Sequence, residues 1–486
     1  MCAAPLHSAA QLHPSRALDV LARSAVSDAP PLDVSLLDDP AADALLAQLV
    51  QRRCRRRQTS AALAAHLLLP FLARCRAEKR RQLSLLQRQL RRIHLDISHL
   101  RTTVKPTQLP CQPLTPTSHP PLLRDRARLL QRYHPNVRDI YLRADHPHQR
   151  HANPLNHVSD LLLDATSITS VQPRATISNP DILANTPTLV TSIQFNQDAS
   201  IFATASVSKT IKLFDFASLL NQPNSPPSNS HHYPILRVPT PSKISCLAWI
   251  SDPTSQLAAS MYNGSILLHD VHQNKSIRSL NHHNSTIWGI HSTSQNPTQL
   301  ISASHDKSVA ICDTRQFTPI HTIHTPASVC CVKFNPFDAH HFAFGSADHT
   351  IYYYDTRQMN DPLSVFNSHS RAVSQLLFQS RTQLVSASID ASCKLWDVHA
   401  QSQPLLTYEG HCNRRNFVGL CGDARFFACG SEDNSVYVYN TSFCGPVVTY
   451  PFAVPGAFVS SVAWKPHSRW LVAANNTGTV QILELL

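Results

Sequence analysis

The chain has 486 residues, 42% of them hydrophobic, which suffices for one large or two to three ordinary domains with real cores. Only 10 glycines stand beside 35 prolines and 28 histidines, pointing to Pro-rich connectors and to turns closed by Asn, Asp and Ser. There is no run of 18 apolar residues and no signal peptide, so membrane spanning and secretion are not expected; the 13 scattered cysteines read as small buried hydrophobes in a reducing compartment.

The formal net charge of +12 is local rather than global. Residues 52–105 hold 15 Lys or Arg against Glu78 and Asp96, a net +13 that leaves the remainder near −1. An acidic partner or polyanion is therefore drawn to this segment.

Residues 1–40, rich in Ala, Pro, Asp and Ser without a period, read as a disordered N-terminus. Residues 41–105 form a basic helical segment, with Pro70 breaking or kinking its second helix. Beyond it Leu83, Leu86, Leu90, Ile93, Ile97 and Leu100 step by 3, 4, 3, 4 and 3, the spacing of a coiled-coil seam. The alternative is an amphipathic helix packed on the following domain, which would show a wider apolar stripe. Arg88, Arg91 and Arg92 flank the seam almost without acidic counterparts, so an acidic partner helix fits better than a parallel homodimer. Residues 106–170 read as a Pro/His-rich linker and 221–242 as a disordered insertion in the domain that follows.

From 171 to 486 the chain repeats. Apolar-alternating strands recur as VTSIQF, ISCLAW, STIWGI, SVCCVKF, AVSQLLF, NFVGLC and VSSVAW, each followed by a small-residue strand and a β-rich strand. One equivalent slot falls at Thr191, Ser245, Trp288, Cys330, Ser374, Phe417 and Ser460. A period of about 40–45 residues with four short strands per unit predicts an all-β seven-bladed WD-repeat propeller, here preceded by the α-helical coiled coil. Asp306, Asp348, Asp390 and Asp433 mark tight turns before third strands, and His369 and His411 stand where a repeat histidine would bond the turn aspartate. The chain ends after the third strand of its last unit, so Arg174 to Ser178 are expected to supply the fourth.

Catalytic patterns are absent: no phosphate loop, no nucleophile elbow, no His-Glu-x-x-His helix. The pairs His282-His283 and His340-His341 and the 145–157 cluster lack partners at zinc spacing, so neither a metal site nor a cofactor is expected.

Five of the seven slots hold Thr, Ser or Cys, small enough to leave a central channel open, and Trp288 and Phe417 break that rule. Two aromatics facing the channel suit the anchor of a peptide interface, or they plug the channel. Tyr262, beside Asn263 at the exposed turn of the second unit, adds to the apolar floor, and Lys243 and Arg371 lead into the first strands of units two and five as a basic rim.

These stretches, among them SVCCVKFNP, FGSADHTIYYYDTR, GHCNRRNFVGL and VAWKPHSRWLVAANNTGTVQIL, resemble the constitutive-photomorphogenesis ubiquitin ligases, built of a RING finger, a coiled coil and a seven-bladed WD-repeat domain. The resemblance covers about 187–486 and, more loosely, the coil. It implies a propeller face that binds degron peptides of transcription regulators in which an acidic stretch precedes Val-Pro. Lys243, Tyr262, Trp288 and Phe417 match that site, Arg371 replaces a lysine, and His349 matches a histidine near the channel mouth. Arg414 departs from it, reading NRRNF where the family has NEKNF and so reversing a rim charge.

Before the coil the chain has only Cys2 and Cys54, too few for the eight ligands of a RING. Either a RING lies upstream of Met1, or the chain is a receptor that recruits catalysis, as the RING-less suppressor-of-phytochrome relatives do. The expectation is thus a nuclear, and also cytoplasmic, adaptor in ubiquitination without ligase activity of its own. The alternative is a scaffold whose basic helices bind nucleic acid. The strand ends at Asp313-Thr314-Arg315 and Asp355-Thr356-Arg357 resemble the motif that docks propellers on the cullin-four adaptor; equally, such aspartates cap turns in any repeat of this kind.

Overall fold

A computed structural model describes residues 76–102, a few helical residues between 51 and 163, and residues 167–486 except 179–188, 221–232, 251–255, 317, 401–402 and 453–456. The expectations for residues 1–40, for nearly all of the helical stretch 41–75 including Pro70, and for most of the 106–170 linker lie outside the described residues. Residues 76–102 are one helix on which Leu83, Leu86, Leu90, Ile93, Ile97 and Leu100 are exposed along one side. No described helix is long and apolar enough to cross a membrane.

The repeat folds into seven antiparallel four-stranded sheets. Blades one to six comprise residues 190–239, 244–281, 287–324, 329–366, 373–408 and 420–451; blade seven takes 459–485 and closes on the strand Val171–Ser178. Each first strand packs on the first strand of the next blade, and that of blade seven on that of blade one, so the sheets form a closed propeller.

Seven apolar clusters fill the seven gaps between neighbouring blades. Between blades one and two, for instance, Ile211, Leu213 and Val238 meet Ile244, Leu247 and Leu257, all nearly inaccessible. A single twisted sheet has no interior, so every blade buries its alternate residues against a neighbour. At about 1.5–3 kcal/mol per buried large side chain, these interfaces carry the stability of the domain.

Ring closure extends the expected strand by three residues: Val171 pairs with Leu485 and Ile177 with Val480, across a bulge at Pro173/Ala175. Arg174 Nε donates to Glu484 at 2.6 Å on the same pair. Of the expected insertion 221–242, residues 221–232 lie outside the described residues, and the described end is an ordered strand rather than a disordered segment. This strand, Leu236–Pro239, is the fourth of blade one, paired with Thr210–Asp215, because Leu236 and Val238 alternate inward to reach the cluster shared with blade two.

The turn before each third strand holds one residue at positive φ: Lys209, Gly264, Lys307, His349, Ala391, Asn434 and Gly478. Only two are glycine, which accounts for the low glycine count. In four of the other five the turn aspartate holds the strained conformation by accepting the backbone N–H two residues on, as Asp306 does from Ser308, Asp348 from Thr350, Asp390 from Ser392 and Asp433 from Ser435; in blade one Ser208 stands at the aspartate position and bonds Thr210 through its hydroxyl.

His369 bonds Asp390 through Nδ1 at 2.9 Å, as the repeat predicts, and also Ser386 Oγ through Nε2 at 2.7 Å. His411 does not bond Asp433. Its Nδ1 pairs with the Tyr439 hydroxyl at 2.9 Å, while the Asp433 carboxylate accepts from Tyr437 at 2.6 Å, because two tyrosines of the third strand supply competing hydroxyls. His283, not singled out as a repeat histidine, takes the predicted role in blade three with Asp306 and Ser302.

Candidate functional site

Strand register gathers the predicted site residues on one face. The start of each first strand pairs with the end of the second, as Val329 does with Ser346, so the slots and the turns before third strands share one end of every blade. Lys243, Tyr262, Trp288, His349, Arg371, Arg414 and Phe417 all lie at that end. Asp313 and Asp355 pair with the starts of second strands, which puts Arg315 and Arg357 at the opposite end.

All seven slot residues line one cavity on the ring axis. The small slots do more than leave space. Thr191 Oγ1 donates to the Ile244 carbonyl at 3.0 Å, Ser460 Oγ to that of Val190 at 2.6 Å, and Ser245 Oγ to that of Ile287, each stitching one first strand to the next. Trp288 and Phe417 carry no hydroxyl and take no part in this stitching.

Instead the aromatics make a continuous edge-to-face row: Tyr262 to Trp288 at 5.8 Å and 69°, then Trp288 to Phe417 at 5.6 Å and 75°. All three line the cavity and remain partly accessible, Phe417 at 36%. Tyr262 is half-buried rather than standing free at its turn, and burial raises its hydroxyl pKa. The indole N–H groups of Trp249, Trp396 and Trp464 donate to protein oxygens; that of Trp288 has no such acceptor among the described residues.

Lys243, His349, Arg371 and Arg414 are exposed and stand around the cavity rather than lining it. Arg371 reaches across a blade boundary, donating from Nη1 to the Arg414 carbonyl at 3.0 Å. Sequence reasoning missed three residues here. Glu432 accepts the backbone N–H groups of Arg415 and Asn416 at 2.7 Å each, pinning the loop that presents Phe417; these bonds lower its pKa against the opposing effect of burial. Gly419 lets that loop lie against blade seven, where a Cβ would strike the backbone of Ser461 and Val462. Lys333 is the one charged side chain among the described residues lining the cavity, its ammonium pKa lowered by burial. Glu432, beside Asp433, was the one with a visible signal, an acid next to a marked turn.

On the opposite end, Asp313 accepts the Arg315 N–H at 2.8 Å and Asp355 that of Arg357 at 2.9 Å, so both aspartates cap turns. The Arg357 guanidinium also forks onto Asp355, at 2.7 Å from Nη2, and holds that carboxyl down to about 2; the Arg315 side chain is exposed.

The WD domain, G-beta repeat family matches residues 181–215, 274–313, 317–355, 360–397, 402–440 and 448–483. The stretch it leaves without a match between the first two, 216–273, holds the fourth strand of blade one and the first three strands of blade two, which the structure supplies. The chain is 37% identical to E3 ubiquitin-protein ligase COP1 of Arabidopsis thaliana, over 69% of this chain and 50% of that protein. It is 37% identical to Protein SPA1-RELATED 3 of the same plant, over 66% and 39%, and 31% identical to its WD repeat-containing protein RUP1, over 60% and 79%. The chain thus spans about half the length of COP1 and most of RUP1.

Proposed function

The chain belongs to the WD-repeat family of COP1, the SPA1-related proteins and RUP1, and from that premise we propose that it is the substrate-recognition adaptor of a ubiquitin-ligase complex. It takes an acidic Val-Pro peptide of a transcription regulator on the cavity face. The observation that carries this reading is the aromatic row Tyr262–Trp288–Phe417 at the cavity mouth, with exposed Lys243, Arg371 and Arg414 around it and Lys333 inside. Partly accessible rings offer an apolar surface to Val and Pro, while cations outside that surface meet the acidic stretch without being desolvated.

The helix at 76–102 serves the complex by pairing with an acidic helix of a partner subunit: its apolar seam is exposed, and basic side chains flank it. The assembly works in the nucleus, and also in the cytoplasm. Exposed Arg315, on the far end of the blades, is the better of the two candidates for contact with a cullin-four adaptor, since Arg357 is engaged by its own aspartate.

Calorimetric titration of the full chain with a synthetic acidic Val-Pro peptide checks the reading. Binding in the micromolar range, about −8 kcal/mol, is expected, with loss of signal when Val-Pro is replaced by Ala-Ala. Equal binding of both peptides would overturn it.

A further inference from the structure

Three repeat positions of the propeller meet between blades five and six, two of them with altered chemistry. In blades three and five the repeat histidine, His283 or His369, sends Nε2 to a serine on the second strand, Ser302 or Ser386. In blade six the corresponding histidine is His411 and the corresponding second-strand residue is Cys429. On the third strand the first inward position holds Ile211, Ile266, Val309, Ile351, Val436 and Val480 in six blades; in blade five it is Cys393. Two cysteines thus replace a serine and a branched aliphatic, and both replacements fall beside one histidine.

Cys393 Sγ, His411 and Cys429 Sγ offer ligand atoms that all lie within 4.8 Å of one another, with Cys393 Sγ 3.8 Å from His411 Nε2. The three residues are 0%, 4% and 0% exposed. Metal–sulfur bonds of about 2.3 Å and metal–nitrogen bonds of about 2.0–2.1 Å place ligand atoms roughly 3.5–4 Å apart, so small side-chain adjustments close the set on one ion.

The histidine is also set for ligation. Tyr439 Oη donates to the Glu409 carbonyl at 3.4 Å, which leaves its oxygen to accept the Nδ1–H of His411 at 2.9 Å. The lone pair is then on Nε2, facing the thiols, and the Nδ1–H bond is the outer support that fixes a ligating histidine.

We propose that Cys393, His411 and Cys429 form an inter-blade site for a divalent thiophilic ion of the zinc class. Two thiols release their protons to solvent as the ion binds, and two thiolates with a neutral imidazole leave a 2+ ion formally neutral, as burial demands. Copper(I) on the same set would leave a net negative charge. Among the described residues no fourth His, Cys, Asp or Glu joins the cluster, so a water or small ligand would complete a tetrahedron. Bound there, the ion ties the third strand of blade five to the second strand of blade six.

The full chain, reduced and freed of metal by chelator, is titrated with cobalt(II) as a spectroscopic probe. One equivalent should produce a thiolate-to-cobalt charge-transfer band that zinc(II) then abolishes, and zinc should raise the melting temperature. Cys429→Ser and Cys393→Val each restore the residue that other blades use and so should fold; each removes a direct ligand and should weaken binding by more than the roughly 10–100-fold that loss of an outer-shell partner costs. Cys444→Ser, at an exposed cysteine, should change nothing. A band that survives unchanged in both ligand variants, or no band in the parent chain, would overturn the site. Capture of copper(I) with refusal of cobalt and zinc would overturn the divalent assignment.

Discussion

The ring of Trp288 meets that of Phe417 edge-on at 5.6 Å, although they belong to blades three and six. Only a closed ring places them in contact, each reaching over the axis above small slot residues.

That contact predicts coupled energetics. Trp288→Ala should weaken the acidic Val-Pro peptide by about 2 kcal/mol with the melting temperature unchanged, because the residue lines the cavity rather than an inter-blade core. A double-mutant cycle with Phe417→Ala should return a coupling of about 0.5–1.5 kcal/mol. Additive losses would mean that the two rings act separately; unaltered binding would reduce them to a plug in the channel.

Rim charges should act on rates. Lys243 is exposed, so Lys243→Glu should slow association and flatten its salt dependence while leaving dissociation nearly unchanged, as stopped-flow fluorescence would register. Arg371 holds the main-chain carbonyl of Arg414, not its side chain. Arg414→Glu should therefore keep the loop in place and shift preference toward peptides with a basic residue at that edge, which a small peptide panel would reveal.

Closure of the ring sets a stability prediction. Ile177, 1% exposed, packs between blades seven and one from the strand that completes blade seven. Ile177→Ala should cost about 2–4 kcal/mol, read from the denaturant midpoint, whereas exposed Gln172→Ala on the same strand should stay within about 0.5 kcal/mol. Similar effects at both positions would show that the closing strand does not work through its buried face.

The pH dependence follows from His291. Burial first, and then the Lys333 ammonium, hold this imidazole well below its ordinary value, and its Nδ1 accepts the Phe334 N–H at 3.2 Å. A base with a depressed folded value contributes its full stability above its unfolded value of about 6.5 and loses it as pH falls from there toward the folded value. Melting temperature should thus drop between about pH 6.5 and 5, and less so in His291→Asn, which keeps an acceptor but does not titrate. An identical slope in the variant would assign the effect to other histidines, His283 among them.

By itself the sequence determined the repeat: strand alternation, the slot series from Thr191 to Ser460, the aspartate turns and the need for a closing strand near Arg174 are written in local spacing. Period-two burial and turn chemistry act within a few residues, so each blade declares itself without its neighbours. Tertiary structure decided what meets across blades. The Trp288–Phe417 contact, Lys333 in the cavity, the Glu432 clasp on the Phe417 loop and the Cys393–His411–Cys429 cluster all join residues from different strands or blades. His411 shows the limit most clearly. Its position in the repeat predicted Asp433 as its partner, yet the Tyr439 hydroxyl was closer in space, and hydrogen-bond partners are chosen by distance and direction rather than by place in a motif.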